Sequence, residues 1–413
     1  MRFALPDGPV ARLLLGYAAT RVAALLMLAF LEASLFVEPL TWLQRLDSLG
    51  PSAAFPEYPW PAVALLHLPM RLGIPTYYHY FAAVVLFMLL VDAAFTWLLW
   101  RAGGRSMNDG LRLWLLVFVA LGPLLVTRFD LLPGVLMATA LLALQRDHHA
   151  AAGVLVALGC GFKAWPVLGV PALLLPGAAR SRTALLGSLL GTGVLLAAAT
   201  AAAAGLQRLW SPLTTQLGRG LQIEAVPGLP LLWLRYFDGG VRWTLPGNAE
   251  CNCHEIAGPG VEAALQAGTV AALVCVAAIA WLHVRAALAP PGARTAALAT
   301  TLATVTVLLA ILTSRVFSPQ YLIWVAALLA ALGTLPGGML PRRDLVLFGA
   351  ACVCTQLVYP LGFFTMLDVD ARLHVFVLLA LTLRDALLVA LVLRLARRAW
   401  DASAGAAAPV APA

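Results

Sequence analysis

Arg128-Phe129-Asp130, Lys163-Ala164-Trp165-Pro166, Arg219-Gly220-Leu221-Gln222-Ile223-Glu224 and Arg315-Val316-Phe317-Ser318-Pro319-Gln320-Tyr321 are polar strings that interrupt an otherwise apolar chain. Each supplies one fixed cation. Four cations from separate connections at one membrane face can hold a lipid-linked phosphate, with arginine forks matched to its oxygens. Carboxylates upstream, at Glu38, Asp47 and Glu57, could then act as a base. Arg128 and Asp130, two residues apart, do not face each other on a helix, so each must find partners elsewhere. Lys163 stands beside a proline that frees backbone groups. An ionisable group at such depth marks a functional site, with snorkelling to the interface as the competing reading. The plain account of the whole set is scattered interhelical salt bridges.

The elements that must position these groups are set by composition. Of 413 residues, 62% are hydrophobic and 11% charged, whereas a soluble domain carries roughly 25% charged residues. A water-soluble globule is thereby excluded, and the chain reads as an all-α polytopic membrane protein. Apolar runs long enough for a bilayer lie near 13–37, 79–100, 112–127, 182–205, 263–284, 295–313, 320–334, 345–361 and 373–394. Two further stretches are 131–145, a short span, and 150–177, a helical hairpin bent near Lys163 where Gly161 and Pro166 interrupt it. The first span is read as a retained helix rather than a cleaved signal peptide. With the N-terminus cytoplasmic, 15 of the 27 basic residues fall on the inner face, as the positive-inside rule requires. That places both termini in the cytoplasm of a plasma (inner) membrane protein. The net charge of +8 then reflects topology, and no nucleic-acid partner is implied.

The two faces differ in kind. Cytoplasmic loops are short and basic, while the other face carries two long connections, 38–78 and 206–262, rich in Trp, Tyr, Pro and Leu. These read as partly buried helices on the membrane surface, and any chemistry faces outward. Glu38 is expected at the end of the first helix, within reach of a lipid head group, and Glu57-Tyr58-Pro59-Trp60-Pro61 at an interfacial corner. Within the membrane, Arg21 and Glu32 lie about three helical turns apart on one face. They are read, with Asp92 and the Arg384-Asp385 pair, as structural ion pairing between helices. Cys251-Asn252-Cys253-His254-Glu255 reads as a loop disulfide rather than a zinc site, because the spacing is not that of a structural zinc site. No metal or other cofactor is expected. Walker A, Gly-x-Gly-x-x-Gly and His-Glu-x-x-His patterns are missing from the sequence, which removes support for ATP-driven transport and zinc proteolysis. Residues 1–400 read as one integral membrane domain and 401–413 as a disordered cytoplasmic tail.

Taken in order, Arg128 to Pro133, Gly153 to Gly161, Lys163 to Pro166, Arg219 to Glu224, Phe317 to Tyr321 and Thr355 to Pro360 resemble glycosyltransferase family 87, within the GT-C superfamily. The resemblance runs from about Arg12 to Arg398. It implies a GT-C-type bundle of about 10–12 transmembrane helices with two long extracytoplasmic loops. It also implies a membrane glycosyltransferase whose donor is a polyprenyl-phosphate sugar, often mannose, and whose acceptor is a lipid or glycan at the outer face. The family inverts at the donor's anomeric carbon and places an acidic general base just after the first transmembrane helix. By position that residue is Glu38, where the family more usually has Asp followed by Val; Asp47 is the second candidate. Tyr58-Pro59-Trp60-Pro61 stands where the family has Tyr-Pro-Pro.

In that scheme the donor phosphate falls to Arg219, Lys163 and Arg315, in that order, with Arg128 and Asp130 orienting the network. Glu224 and Gln320, with Tyr58 and Tyr321, are candidates for the substrate, Glu224 and Gln320 for sugar hydroxyls. The reading from another class is a secondary transporter or lipid flippase. A transporter needs polar groups on both sides of the midplane, and here they lie on one side. A third reading is a non-catalytic assembly protein that keeps the fold for lipid binding.

Overall fold

The computed structural model describes residues 8–31, 33–74, 76–248, 252–338 and 340–404. About three-quarters of it is helical. The chain opens with α1 (Pro9–Leu31), and a 3-10 turn leads into α2 (Val37–Ala53) and α3 (Trp60–Arg71). Next come α4 (Tyr77–Ala102), α5 (Asp109–Ala120) and α6 (Leu124–Thr127), followed by α7 (Leu131–Leu144) and α8 (His149–Phe162). A broken stretch ending in α9 (Val170–Leu173) returns to α10 (Ala179–Ala204), followed by α11 (Ser211–Leu217) and α12 (Leu229–Phe237). The remainder is α13 (Val261–Leu288), α14 (Ala296–Thr313), α15 (Tyr321–Leu332), α16 (Arg342–Gln356), α17 (Phe363–Leu367) and α18 (His374–Ser403). The only strands among the described residues are a two-residue antiparallel pair, β1 (Gly247–Asn248) and β2 (Cys253–His254).

Among the described residues seven helical stretches are long and apolar enough to cross a membrane, one of them α16 together with the turn that continues it to Leu361, and α7, α8 and α15 are shorter apolar helices. Burial separates an inner set from an outer one. In α15 every residue from Leu322 to Leu332 is buried, and 72% of the apolar window of α14 is buried, against 11% in α10 and 6% in α13. The outer helices carry Leu190, Val194, Leu195, Val270, Leu273 and Val274 more than half exposed. An apolar belt of that kind in contact with water would be far larger than soluble proteins tolerate, so α10 and α13 are suited to face lipid.

Helices approach closely where side chains are smallest, the packing expected where lipid removes the hydrophobic drive between spans. A Cβ on Gly110 of α5 would lie 2.0 Å from the Ala330 carbonyl oxygen of α15. On Gly153 of α8 it would lie 2.3 Å from the Leu185 carbonyl oxygen of α10. Starts are set by local capping: Thr76, Asn108 and Thr295 each accept a backbone N–H from three residues ahead.

Ion pairing inside the bundle follows the sequence reading in part. Arg21 of α1 bonds Asp92 of α4 through Nε at 2.9 Å and Nη2 at 2.6 Å, and the Trp114 indole donates to the same carboxylate at 2.8 Å. Glu32, expected on the same face as Arg21, lies outside the described residues. Arg384 pairs with its neighbour Asp385 at 2.9 Å, and it reaches further, to Glu224 in the long connection after α11.

Two expected boundaries moved. The run 13–37 is one helix only as far as Leu31, and Glu38 lies in the first turn of α2 rather than at the end of α1. The run 112–127 divides at Gly122, whose positive φ of 56° turns the chain before Pro123. The 150–177 stretch does bend at Lys163, where α8 ends in extended backbone.

Candidate functional site

Alternate connections converge at one end of the bundle around a cavity of about 530 Å³. The first wall is α2. Glu38, Thr41, Trp42 and Arg45 line the cavity, at helical spacings of three, four and seven residues that fall on one face. Asp47 is nine residues beyond Glu38, about 900° around the helix and hence on the opposite side. It is exposed and does not line the cavity.

Glu38 gains from its place in the first turn of α2, where a carboxylate opposes the positive helix end. Its partner is Arg128, in the extended link between α6 and α7, whose Nη1 pairs with Glu38 while Nη2 donates to the Tyr359 hydroxyl. Arg128 is 4% exposed, so this guanidinium forms the inner wall rather than a mobile surface arm. Tyr359 comes from the turn after α16, and sequence alone gives it no role.

Lys163 extends from the end of α8. Its ammonium donates to Asp130 Oδ1 at 2.7 Å and lies 5.2–5.6 Å from the ring centres of Tyr58, Tyr321 and Trp324. Three aromatic faces and one carboxylate hold the cation while leaving 18% of its side chain open. Asp130 is buried behind it and also accepts the Trp324 indole N–H at 2.8 Å. Arg128 and Asp130 thus find separate partners, as their spacing required.

Arg219 lies on a loop pinned on both sides. Gln222 bridges Glu255, Ile223 N–H donates to the His254 carbonyl at 3.2 Å, and Gly220 N–H donates to Glu255 Oε1 at 3.0 Å. The Arg219 guanidinium itself reaches Cys253 Sγ at 3.1 Å and stands 3.6 Å from Glu255. Cys253 is disulfide-bonded; Cys251 lies outside the described residues. Among the described residues no group of three His, Cys, Asp or Glu side chains is placed to hold a metal ion.

Arg315 has a different place from the one expected. Its Nη1 donates to the carbonyl oxygens of Arg219 at 3.0 Å and Leu217 at 3.4 Å, and it does not line the cavity. It braces the Arg219 loop instead of offering its charge to a ligand. Glu224 lines the cavity floor, but one carboxylate oxygen is held by Arg384 at 2.8 Å and its carbonyl by the same guanidinium at 2.7 Å. Gln320, Tyr321 and Tyr58 all line the cavity.

Sequence reasoning passed over Arg45 and offered Glu57 only among the upstream carboxylates that could act as a base. Both line the cavity, 3.4 Å apart. Burial pushes the Glu57 carboxyl above its usual range, against its own backbone hydrogen bond and the nearby arginines. Its second oxygen is buried without a partner among the described residues. The helical spacing of Arg45 from Glu38 was the available signal for it.

A second, more apolar groove of about 440 Å³ adjoins the cavity, between α8 and α10, with Trp60, Pro61, Gly161, Leu196 and Ala197 on its walls. It shares Glu57, Lys163, Gln216 and Tyr321 with the cavity. The pair offers polar and cationic groups at one end and hydrocarbon-like walls at the other, joined at Lys163. None of the cavity lining comes from the 103–108, 145–148, 289–295 or 333–338 connections, so the polar cluster does not continue through the bundle. Compared with known families, the chain matches no family model, and it matches no curated protein in sequence.

Proposed function

We propose that the protein is a membrane glycosyltransferase of the GT-C type, resembling glycosyltransferase family 87. It transfers a sugar, mannose being the first choice, from a polyprenyl-phosphate donor to a lipid or glycan acceptor at the extracytoplasmic face. The carrying observation is the convergence of Glu38, Arg128, Lys163, Arg219, Gln320 and Tyr321, from separate parts of the chain, on one cavity that opens into an apolar groove at Lys163.

In this reading the prenyl chain lies in the groove and its phosphate at the junction, beside Lys163. The acceptor hydroxyl oxygen attacks C1 of the sugar from the side of Glu38. The new C1–O bond forms as the bond from C1 to the phosphate oxygen breaks, and the hydroxyl proton passes to the Glu38 carboxylate. Polyprenyl phosphate leaves with the electron pair, and its added charge is met by Lys163, Arg219 and Arg45. Cations already fixed in a poorly hydrated site stabilise such charge without reorganising. Arg128 orients Glu38, Asp130 orients Lys163, and Arg315 orients the Arg219 loop. Gln320, Tyr58 and Tyr321 are placed for the sugar.

The test is turnover of polyprenyl-phosphate mannose by the purified protein with a lipid-glycan acceptor extract, comparing native protein with Glu38→Gln. Product from the native protein alone is expected. Unchanged turnover by a folded Glu38→Gln protein removes Glu38 as base. Donor binding by the native protein with no product from any of a panel of sugars turns the reading toward transport.

A further inference from the structure

At the end of the bundle away from the cavity, five arginines crowd two packed helices. Arg342 and Arg343 open α16, and Arg394, Arg397 and Arg398 lie near the end of α18. The nearest carboxylate, Asp344, is buried and already engaged: it accepts Arg394 Nε at 2.6 Å and pairs with Arg398, fastening the two helices together. Arg394 still leaves 39% of its side chain open. Beside this clasp runs a groove of about 560 Å³, lined by Arg342, Arg343, Arg394, Val346 and Leu347 and by no carboxylate. Asp401, on the last turn of α18, is exposed and not part of it.

Two features of this groove call for an amphiphilic anion. Arg342 and Arg343 occupy the first turn of α16, where the helix dipole favours negative charge and opposes cations. A bound anion removes that conflict. The floor between the arginines is apolar, with Val346 61% exposed, and Val353, two turns along the same face of α16, is 48% exposed. A small hydrated anion satisfies the arginines and leaves the floor uncovered, whereas a phosphate carrying acyl chains satisfies both. Basic pockets between helix ends at a membrane surface are suited to acidic lipid head groups. Tyr359, at the cavity, is 17 residues from Arg342, about 25 Å along a helix, so this groove is separate from the proposed reaction site.

We propose that the α16–α18 groove binds one anionic phospholipid, with its phosphate on Arg342, Arg343 and Arg394 and an acyl chain along Val346 and Leu347. The inference does not depend on the proposed reaction. It is tested by native mass spectrometry of the full-length protein in neutral detergent, titrated with phosphatidylglycerol and with phosphatidylcholine of the same chains. The native protein should hold one phosphatidylglycerol at least about tenfold more tightly than phosphatidylcholine. Arg342→Gln/Arg343→Gln should weaken phosphatidylglycerol by about 30-fold, the effect of two cations at a lipid surface, with its melting temperature unchanged. Val346→Glu, which keeps every arginine, should weaken it as well. Equal binding of the two lipids, undiminished binding by the arginine double variant, or displacement by millimolar inorganic phosphate alone would overturn the proposal.

Discussion

Asp130→Asn is the substitution that most directly probes how the cavity fixes its cation. Asp130 is 1% exposed and accepts from Lys163 at 2.7 Å and from Trp324 at 2.8 Å. Asparagine keeps a carbonyl acceptor for one of these donors but removes the charge. Two unit charges about 4 Å apart attract by about 4 kcal/mol at an effective dielectric of about 20. Lys163 is partly open, and the rings of Tyr58, Tyr321 and Trp324 remain as weaker cation partners, so roughly half of that, about 2 kcal/mol, should be lost. Expressed on the proposed reaction this is about a 30-fold fall in kcat/KM. Because Asp130 acts through Lys163, the double variant Asp130→Asn/Lys163→Met should be no slower than Lys163→Met alone. A coupling of about 2 kcal/mol in that cycle is the expected result. Lys163 is the only lysine in the sequence, which gives a readout independent of turnover. An amine-selective reagent followed by peptide mapping should modify it several times faster in Asp130→Asn than in the native protein. Additive losses in the cycle, together with unchanged labelling, would refute the view that Asp130 is a positioning residue.

Other outcomes follow from the same geometry. Glu57→Gln should raise thermal stability at pH 7: the raised carboxyl pKa means that stability present below the ordinary value of 4.5 is lost as pH rises through the folded value. The gain over native protein should therefore shrink as pH falls toward 4.5 in a melting series. Asp92→Ala leaves Arg21 buried without its partner and should cost about 3–5 kcal/mol in a detergent unfolding titration, whereas Arg21→Met/Asp92→Leu should recover most of it. Gly110→Ala drives a Cβ toward the Ala330 carbonyl oxygen at 2.0 Å and should destabilise by about 1–3 kcal/mol. Gly187→Ala, with nothing within 4 Å, should be neutral or stabilising in the same assay.

The architecture was legible because bilayer length and helical spacing act locally. Long runs such as those beginning near 182 and 263 had only to be counted, and the break at Lys163 was announced by Gly161 and Pro166. The strings around Arg128, Lys163, Arg219 and Gln320 pointed to one face, and they do line or adjoin one cavity. Their pairings were not legible. Glu38 meets Arg128 across 90 positions, and Glu224 meets Arg384 across 160, separations over which spacing carries no signal. Arg315 illustrates a second limit: sequence registers its charge, but its partners are the carbonyl oxygens of residues 217 and 219, which every residue possesses. Asp47 illustrates a third, since the face it occupies depends on α2 beginning at Val37 instead of continuing the first span.

The three short apolar helices share one trait. α7 begins beside Asp130, α8 ends beside Lys163, and α15 begins at Tyr321, after Gln320. At 1.5 Å per residue the 12 residues of α15 extend about 18 Å, some 12 Å less than the hydrocarbon thickness of a bilayer. The missing turns leave room for the cavity that Tyr321 lines. Asp130, Lys163 and Gln320 stand at the ends of these short helices, with Asp130 buried and the Lys163 side chain 18% open. About two more turns at the cavity end of α15 would make up that difference and obstruct the cavity without removing a single charged residue.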